Sequence, residues 1–181
     1  MTFNKNPYSP QALAKMQALV EELGEQSDRG VAIVGAAWLE EAISESLESV
    51  FPMESKGKER LFRADGPMST FSAKIDLLHT LGLISELIRS DMHRLREIRN
   101  TFSHQITHSK TNAKLGFHIP EIRDKCHALK CVEHENLQNA REAFVRACAV
   151  LNADLEMVRY FGVKLLNDVG KVITSNERYA N

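Results

Sequence analysis

The chain has 181 residues and a mass of 20.4 kDa, the size of one domain able to bury roughly 70% of its unfolded surface. Apolar residues make up 43% and charged residues 26%, which excludes wholesale disorder. With 23 Lys plus Arg against 24 Asp plus Glu, the net charge of −1 argues against a protein that lives by wrapping nucleic acid, though it leaves room for a local basic patch.

Residues 1–8 read as a flexible N-terminus. Ser9-Pro10 then starts a helix: the hydroxyl can accept an orphan N–H, and proline at the first helical position has no N–H to waste. Leu13, Met16, Val20 and Leu23 recur at helical spacing, and Gly24 is placed to end the helix in a left-handed conformation. Ser27-Asp28 opens a second helix with a carboxylate at the positive end of its dipole. That helix carries Val31, Val34, Trp38, Leu39, Ile43, Leu47 and Val50, and its first half is apolar nearly all round, so it should be the most enclosed. Gly35 inside it costs about 1 kcal/mol of helix propensity, which close approach of a neighbouring helix would offset.

Phe51-Pro52 ends this run, and residues 52–68 read as a long connection. Ser69 is expected to cap a helix carrying Phe71, Ile75, Leu78 and Leu81. Gly82 breaks it into a helical hairpin and Ser85 restarts the chain, with Ile88, Leu95, Ile98, Phe102 and Ile106 as the next apolar stripe. The polar stretch Thr107 to His118 precedes a short helix after Pro120. From Leu137 to Val169 apolar residues recur at alternating spacings of three and four, a seam long enough for one helix of more than 30 residues or two in succession. Nothing alternates with period two, so the fold class is all-α: a single-domain multi-helix bundle over 9–171 with a long C-terminal helix or helix pair, then a tail over 172–181. Trp38 and Phe102 are expected in one core.

No apolar run approaches the ~18 residues a membrane span needs, and the first residues are no signal peptide. Three cysteines, an odd count, suit a reducing cytoplasm better than a disulfide framework. His104-x3-His108 and Cys126-x4-Cys131-x2-His134 are loose ligand spacings, neither giving the four regular ligands of a structural zinc site. No metal or other cofactor is expected, and Cys126 and Cys148 read as core.

The most specific local signal is Arg99-Asn100-x-x-x-His104, the pattern R-N-x-x-x-H. On a helix Asn100 and His104 lie one turn apart, and a long guanidinium at Arg99 can bend toward them. Such a group could bind a phosphate through Arg99 and move a proton through His104. The plainer reading is a structural polar network in which Arg99, Asn100 and His104 tie their helix to acids such as Asp28 or Asp76. The pattern is similar to the Arg-x4-His motif of the HEPN superfamily of helical proteins, which implies a metal-independent ribonuclease using Arg99, Asn100 and His104, with two motifs often paired by dimerisation.

A helix-turn-helix placement turns at Leu81-Gly82-Leu83 and makes residues 86–99 the reading helix. That segment holds four arginines (Arg89, Arg94, Arg96, Arg99) against Glu86, Asp91 and Glu97, and its stripe continues to Phe102, so much of it must face the core. Lys56, Lys58, Arg60 and Arg63, in a segment of net charge +3, are the better candidate phosphate contact.

The run Gly66-Pro67-Met68-Ser69-Thr70-Phe71 through Leu81-Gly82-Leu83-Ile84-Ser85 to Ile98-Arg99-Asn100, with Ser27-Asp28-Arg29-Gly30 before it and Pro120-Glu121-Ile122-Arg123-Asp124-Lys125-Cys126 after it, resembles the mannitol operon repressor family of bacterial proteins. The resemblance covers roughly residues 25–150 and implies an all-helical cytoplasmic regulator of mannitol uptake and utilisation genes, from a family without an evident DNA-binding motif. The expected function is therefore repression through a protein partner in a promoter complex, with no enzymatic activity. A HEPN-like ribonuclease or RNA-binding protein is the alternative, direct DNA binding through helix 86–99 the third, and self-association stays open.

Overall fold

Most helices begin where a short polar side chain can take the first free N–H. Ser9 accepts from Ala12 N at 3.1 Å to open α1 (Pro10–Gly24), and Ser27 from Gly30 N at 3.2 Å to open α2 (Asp28–Val50). After α3 (Lys56–Phe62), Thr70 caps α4 (Phe71–Thr80) and Ser85 caps α5 (Glu86–His104). Then come α6 (Pro120–His127), a 3-10 turn (Lys130–Glu135) and α7 (Ala140–Thr174). The structure, a computed structural model, describes residues 8–51, 56–109 and 112–174, with side chains described through Phe161. Among the described residues every element is helical apart from an isolated antiparallel bridge between Thr107 and Lys114.

The Leu137–Val169 seam resolves into one helix: α7 has 35 residues, about 52 Å of length, with Leu137 just outside it. It lies chiefly along α2, with α1 and α6 on its other sides, while α5 packs on α2 and α4. Gly35 faces α1 and α7 across close packing. A Cβ there would lie 3.2 Å from Leu23 and Phe144 and 3.3 Å from the Cys148 sulfur, the close approach that its presence mid-helix implied. Buried Ser46 adds a polar pin, donating to Leu155 O across the interface at 3.1 Å. Gly82, at φ +69, makes the turn between α4 and α5.

Several sequence expectations shift on contact with this packing. In α1 the buried residues are Ala12, Met16, Leu19 and Leu23, whereas Leu13 and Val20 are 36% and 40% exposed. Both registers are apolar, and the one carrying the small Ala12 lets α1 lie closely against α7, its main neighbour. Gly24 is not left-handed: the residue after it, Glu25, is right-handed at φ −87 and donates its N–H to Leu23 O, and Arg141 adds bonds to the carbonyls of Leu23, Gly24 and Gln26. The cap at Ser69 belongs to Thr70. Ile106 is 83% exposed because α5 stops at His104 and Gln105 is extended, so helical spacing no longer applies. Part of the expected 52–68 connection is helical, as α3, whose Phe62 packs edge-on to Phe51 at 5.6 Å.

Phe102 is fully buried, and Trp38 is partly buried against the same core rather than inside it. Trp38→Ala should therefore destabilise less than Phe102→Ala, for which the expected loss is about 3–5 kcal/mol. Urea melts of the two variants check the order; a larger loss for Trp38 would contradict this placement.

Candidate functional site

The R-N-x-x-x-H residues lie on the last two turns of α5. Arg99 donates from Nη1 to Asn100 Oδ1 at 3.1 Å, which positions the guanidinium against its own helix. His104 ends α5 and is exposed. The two acids expected in the same network are elsewhere. Asp28 accepts from Phe117 N at 3.1 Å and from Arg141 Nη1 at 2.9 Å. Asp76 accepts from Arg89 Nε at 2.8 Å and lies 3.1 Å from His93 Nε2. The expected single network is thus three separate ones. Arg99 stands ten residues beyond Arg89, about 15 Å along the helix axis and out of reach of Asp76.

Two arginines that sequence reading passed over organise this end of the molecule. Arg29, two residues past its N-cap, donates from both guanidinium nitrogens to the carbonyls of Phe102 and Gln105, closing the C-terminus of α5. Arg141, at the start of α7, joins Asp28 and three carbonyls of the α1–α2 turn. Both act on residues more than seventy positions away, so no local spacing signals them. Gly116 packs closely beside them: a Cβ there would meet His118 Nδ1 at 2.7 Å and Asp28 Oδ2 at 2.8 Å, so either side chain would have to shift.

Helix α5 is embedded on one face. Asp91, Met92, Leu95, Ile98 and Phe102 are buried, and α2, α4, α6 and the 3-10 turn pack around it. Two of its arginines are committed to acids. Arg89 bonds Asp76 and Glu86, and Arg94 bonds Asp91 at 2.9 Å. Burial pulls the Asp76 carboxyl upward, yet the bonds from His93 and Arg89 outweigh it and hold it below the usual carboxylate range. A helix so placed has little free surface to lay in a DNA groove.

The basic segment 56–63 is largely self-satisfied. Lys58 reaches Glu48 O at 3.1 Å and its carboxylate at 3.7 Å, Arg60 bonds Lys56 O, and Arg63 pairs with Asp65 at 2.7 Å. Lys56 is exposed at the start of α3.

His104 and His108 do not share a helical turn, because α5 ends at His104; His108 lies 3.5 Å from Glu121 on α6. No group of three or more metal-ligating side chains occurs among the described residues. The cysteines are free thiols on α6, the 3-10 turn and α7. Burial pushes Cys126 up to about 12 and raises Cys148, and burial together with the Asp91 carboxylate raises Cys131. Thiols held so far above neutrality are poor nucleophiles. A cleft of about 280 Å³ between α5, the 108–119 segment and α6 has an apolar floor of Ile98, Leu115, Ile119 and Ile122, and a polar rim.

A family model described as "Mannitol repressor" matches residues 15–163. An MtlR chain solved in the MtlR–HPr complex from Escherichia coli has the same fold, with a TM-score of 0.63 at 20% identity over 78% of this chain and 98% of that one. No curated protein sequence matches. No described helix is long and apolar enough to cross a membrane.

Proposed function

The chain belongs to the mannitol repressor family, and from that premise we propose that it represses a mannitol-utilisation operon from the cytoplasm by way of a protein partner, without a DNA-reading element of its own. The observation that carries this reading is the embedding of α5. The one placement that could have served as a recognition helix has Asp91, Met92, Leu95, Ile98 and Phe102 in the core and ties Arg89 and Arg94 to acids. With that helix committed to the core, a protein partner is the route to the promoter that this reading assigns.

The partner we assign is HPr, the protein found with MtlR in the similar solved structure. No catalytic step is assigned: Arg99 hydrogen-bonds Asn100 on its own helix, and His104 stands exposed at the end of α5. Calorimetric titration of the purified chain with HPr from the same organism tests the proposal. Saturable one-to-one binding is expected. Absence of binding at protein concentrations of about 100 μM, where interactions down to roughly −5 kcal/mol still register, would remove HPr as the partner.

A further inference from the structure

The cleft between α5 and α6 has walls that are pinned before anything enters it. Its floor is four buried aliphatic side chains: Ile98 from α5, Leu115 and Ile119 from the segment before α6, and Ile122 from α6. Lys125 on α6 bonds Glu97 on α5, which ties one wall to the other. His108 lies 3.5 Å from Glu121, which ties the segment after α5 to α6. That segment is also held within itself: His108 N donates to Ala113 O at 2.9 Å, and Thr107 Oγ1 donates to Asn112 Oδ1 at 3.1 Å. A cleft formed in advance, apolar below with a few polar groups above, is the usual shape of a small-molecule site.

The lining also selects the kind of molecule. A volume of about 280 Å³ falls just under the ~300 Å³ at which sites for drug-sized ligands begin, so the occupant is small. Both cationic groups on the rim, His108 and Lys125, already face acids. A phosphate or carboxylate would find no spare counter-charge there, and an uncompensated ion is costly against an apolar floor. The groups left for a ligand are neutral. The Gln105 amide and the Ser109 hydroxyl make no hydrogen bond among the described residues. Thr101 Oγ1 donates to Glu97 O at 3.1 Å and keeps its lone pairs. All three can accept from a hydroxyl, and two can also donate to one.

We propose that this cleft binds a small uncharged ring compound carrying one or two hydroxyl groups. Its apolar face lies on Ile98, Leu115, Ile119 and Ile122, and its hydroxyls meet Thr101, Gln105 and Ser109. An open-chain hexitol does not suit the site: with a hydroxyl on every carbon it has no face to lay on four aliphatic side chains, and several hydroxyls would lose water without gaining a partner. The site is therefore distinct from any that recognises mannitol, and it is independent of the assignment of HPr.

Titration of the isotope-labelled full chain with resorcinol, followed by amide chemical shifts, tests the proposal, with mannitol and inorganic phosphate as competitors. Saturable shifts confined to residues 98–125 are expected, with a dissociation constant of about 1 mM or tighter for so small a ligand. Gln105→Ala/Ser109→Ala changes two exposed residues and should weaken binding at least about five-fold, the loss of one hydrogen bond. The unshifted remainder of its spectrum shows that the variant is folded. Neither competitor should displace resorcinol. Shifts that do not saturate or that scatter over the surface, undiminished affinity in the folded variant, or displacement by mannitol or phosphate would overturn the proposal.

Discussion

Asp91→Ala is expected to destabilise the protein by about 3–5 kcal/mol, the range for breaking a buried charge pair. Asp91 is fully buried in the second turn of α5. One carboxylate oxygen accepts from Cys131 N at 2.7 Å, fixing the 3-10 turn, and the other accepts from Arg94 Nη1 at 2.9 Å. Alanine leaves an N–H and a guanidinium without partners. The Arg94 side chain is 33% exposed and can turn to water, which places the loss toward the lower end of the range. Asp91→Asn retains an acceptor for Cys131 N and should lose less. Urea denaturation of the three proteins measures this. Equal, small losses for both variants would mean that the carboxylate does not hold the turn.

The second large effect is expected at Phe144. Its ring lies 5.3 Å from that of Phe117, which lies 5.3 Å from Phe102, so one stack joins α7, the segment before α6 and α5. Phe144 also packs against Gly35, where a Cβ would lie 3.2 Å from its ring. Phe144→Ala should cost about 3–5 kcal/mol through lost burial and the cavity left behind. Phe144→Leu keeps most of the volume and should cost clearly less. A loss below about 1 kcal/mol for the alanine variant would mean that the core collapses to fill the gap.

The helices were legible because their signals are local. Ser9, Ser27 and Ser85 each cap the helix assigned to them, Gly82 takes the conformation a break requires, and the three-four spacing after Leu137 marks a helical seam, which the structure resolves into one helix rather than two. Errors arose where local signals are degenerate. Ser69 and Thr70 are equally good caps. Two apolar registers compete in α1, and only the fit against α7 chooses between them. Ile106 continues a helical spacing past the point where the helix stops. The candidate site was less legible, because its organisation is non-local. Nothing near Arg29 or Arg141 in sequence announces bonds to Phe102 or Leu23. Asp28 and Asp76 pair with Arg141 and Arg89 rather than with Arg99. In the basic segment 56–63, Lys58 and Arg63 are paired with Glu48 and Asp65, partners that a count of charges within the segment does not show.

The claim that repression works through a partner is tested most directly by titrating the purified chain, alone, onto its own promoter and onto scrambled DNA at near-physiological salt. Weak binding that does not distinguish the two sequences is expected, with selectivity gained only when the proposed partner is added. Nanomolar, promoter-selective binding by the chain alone, lost in a folded Arg89→Gln/Arg94→Gln variant, would contradict it and make α5 a DNA reader.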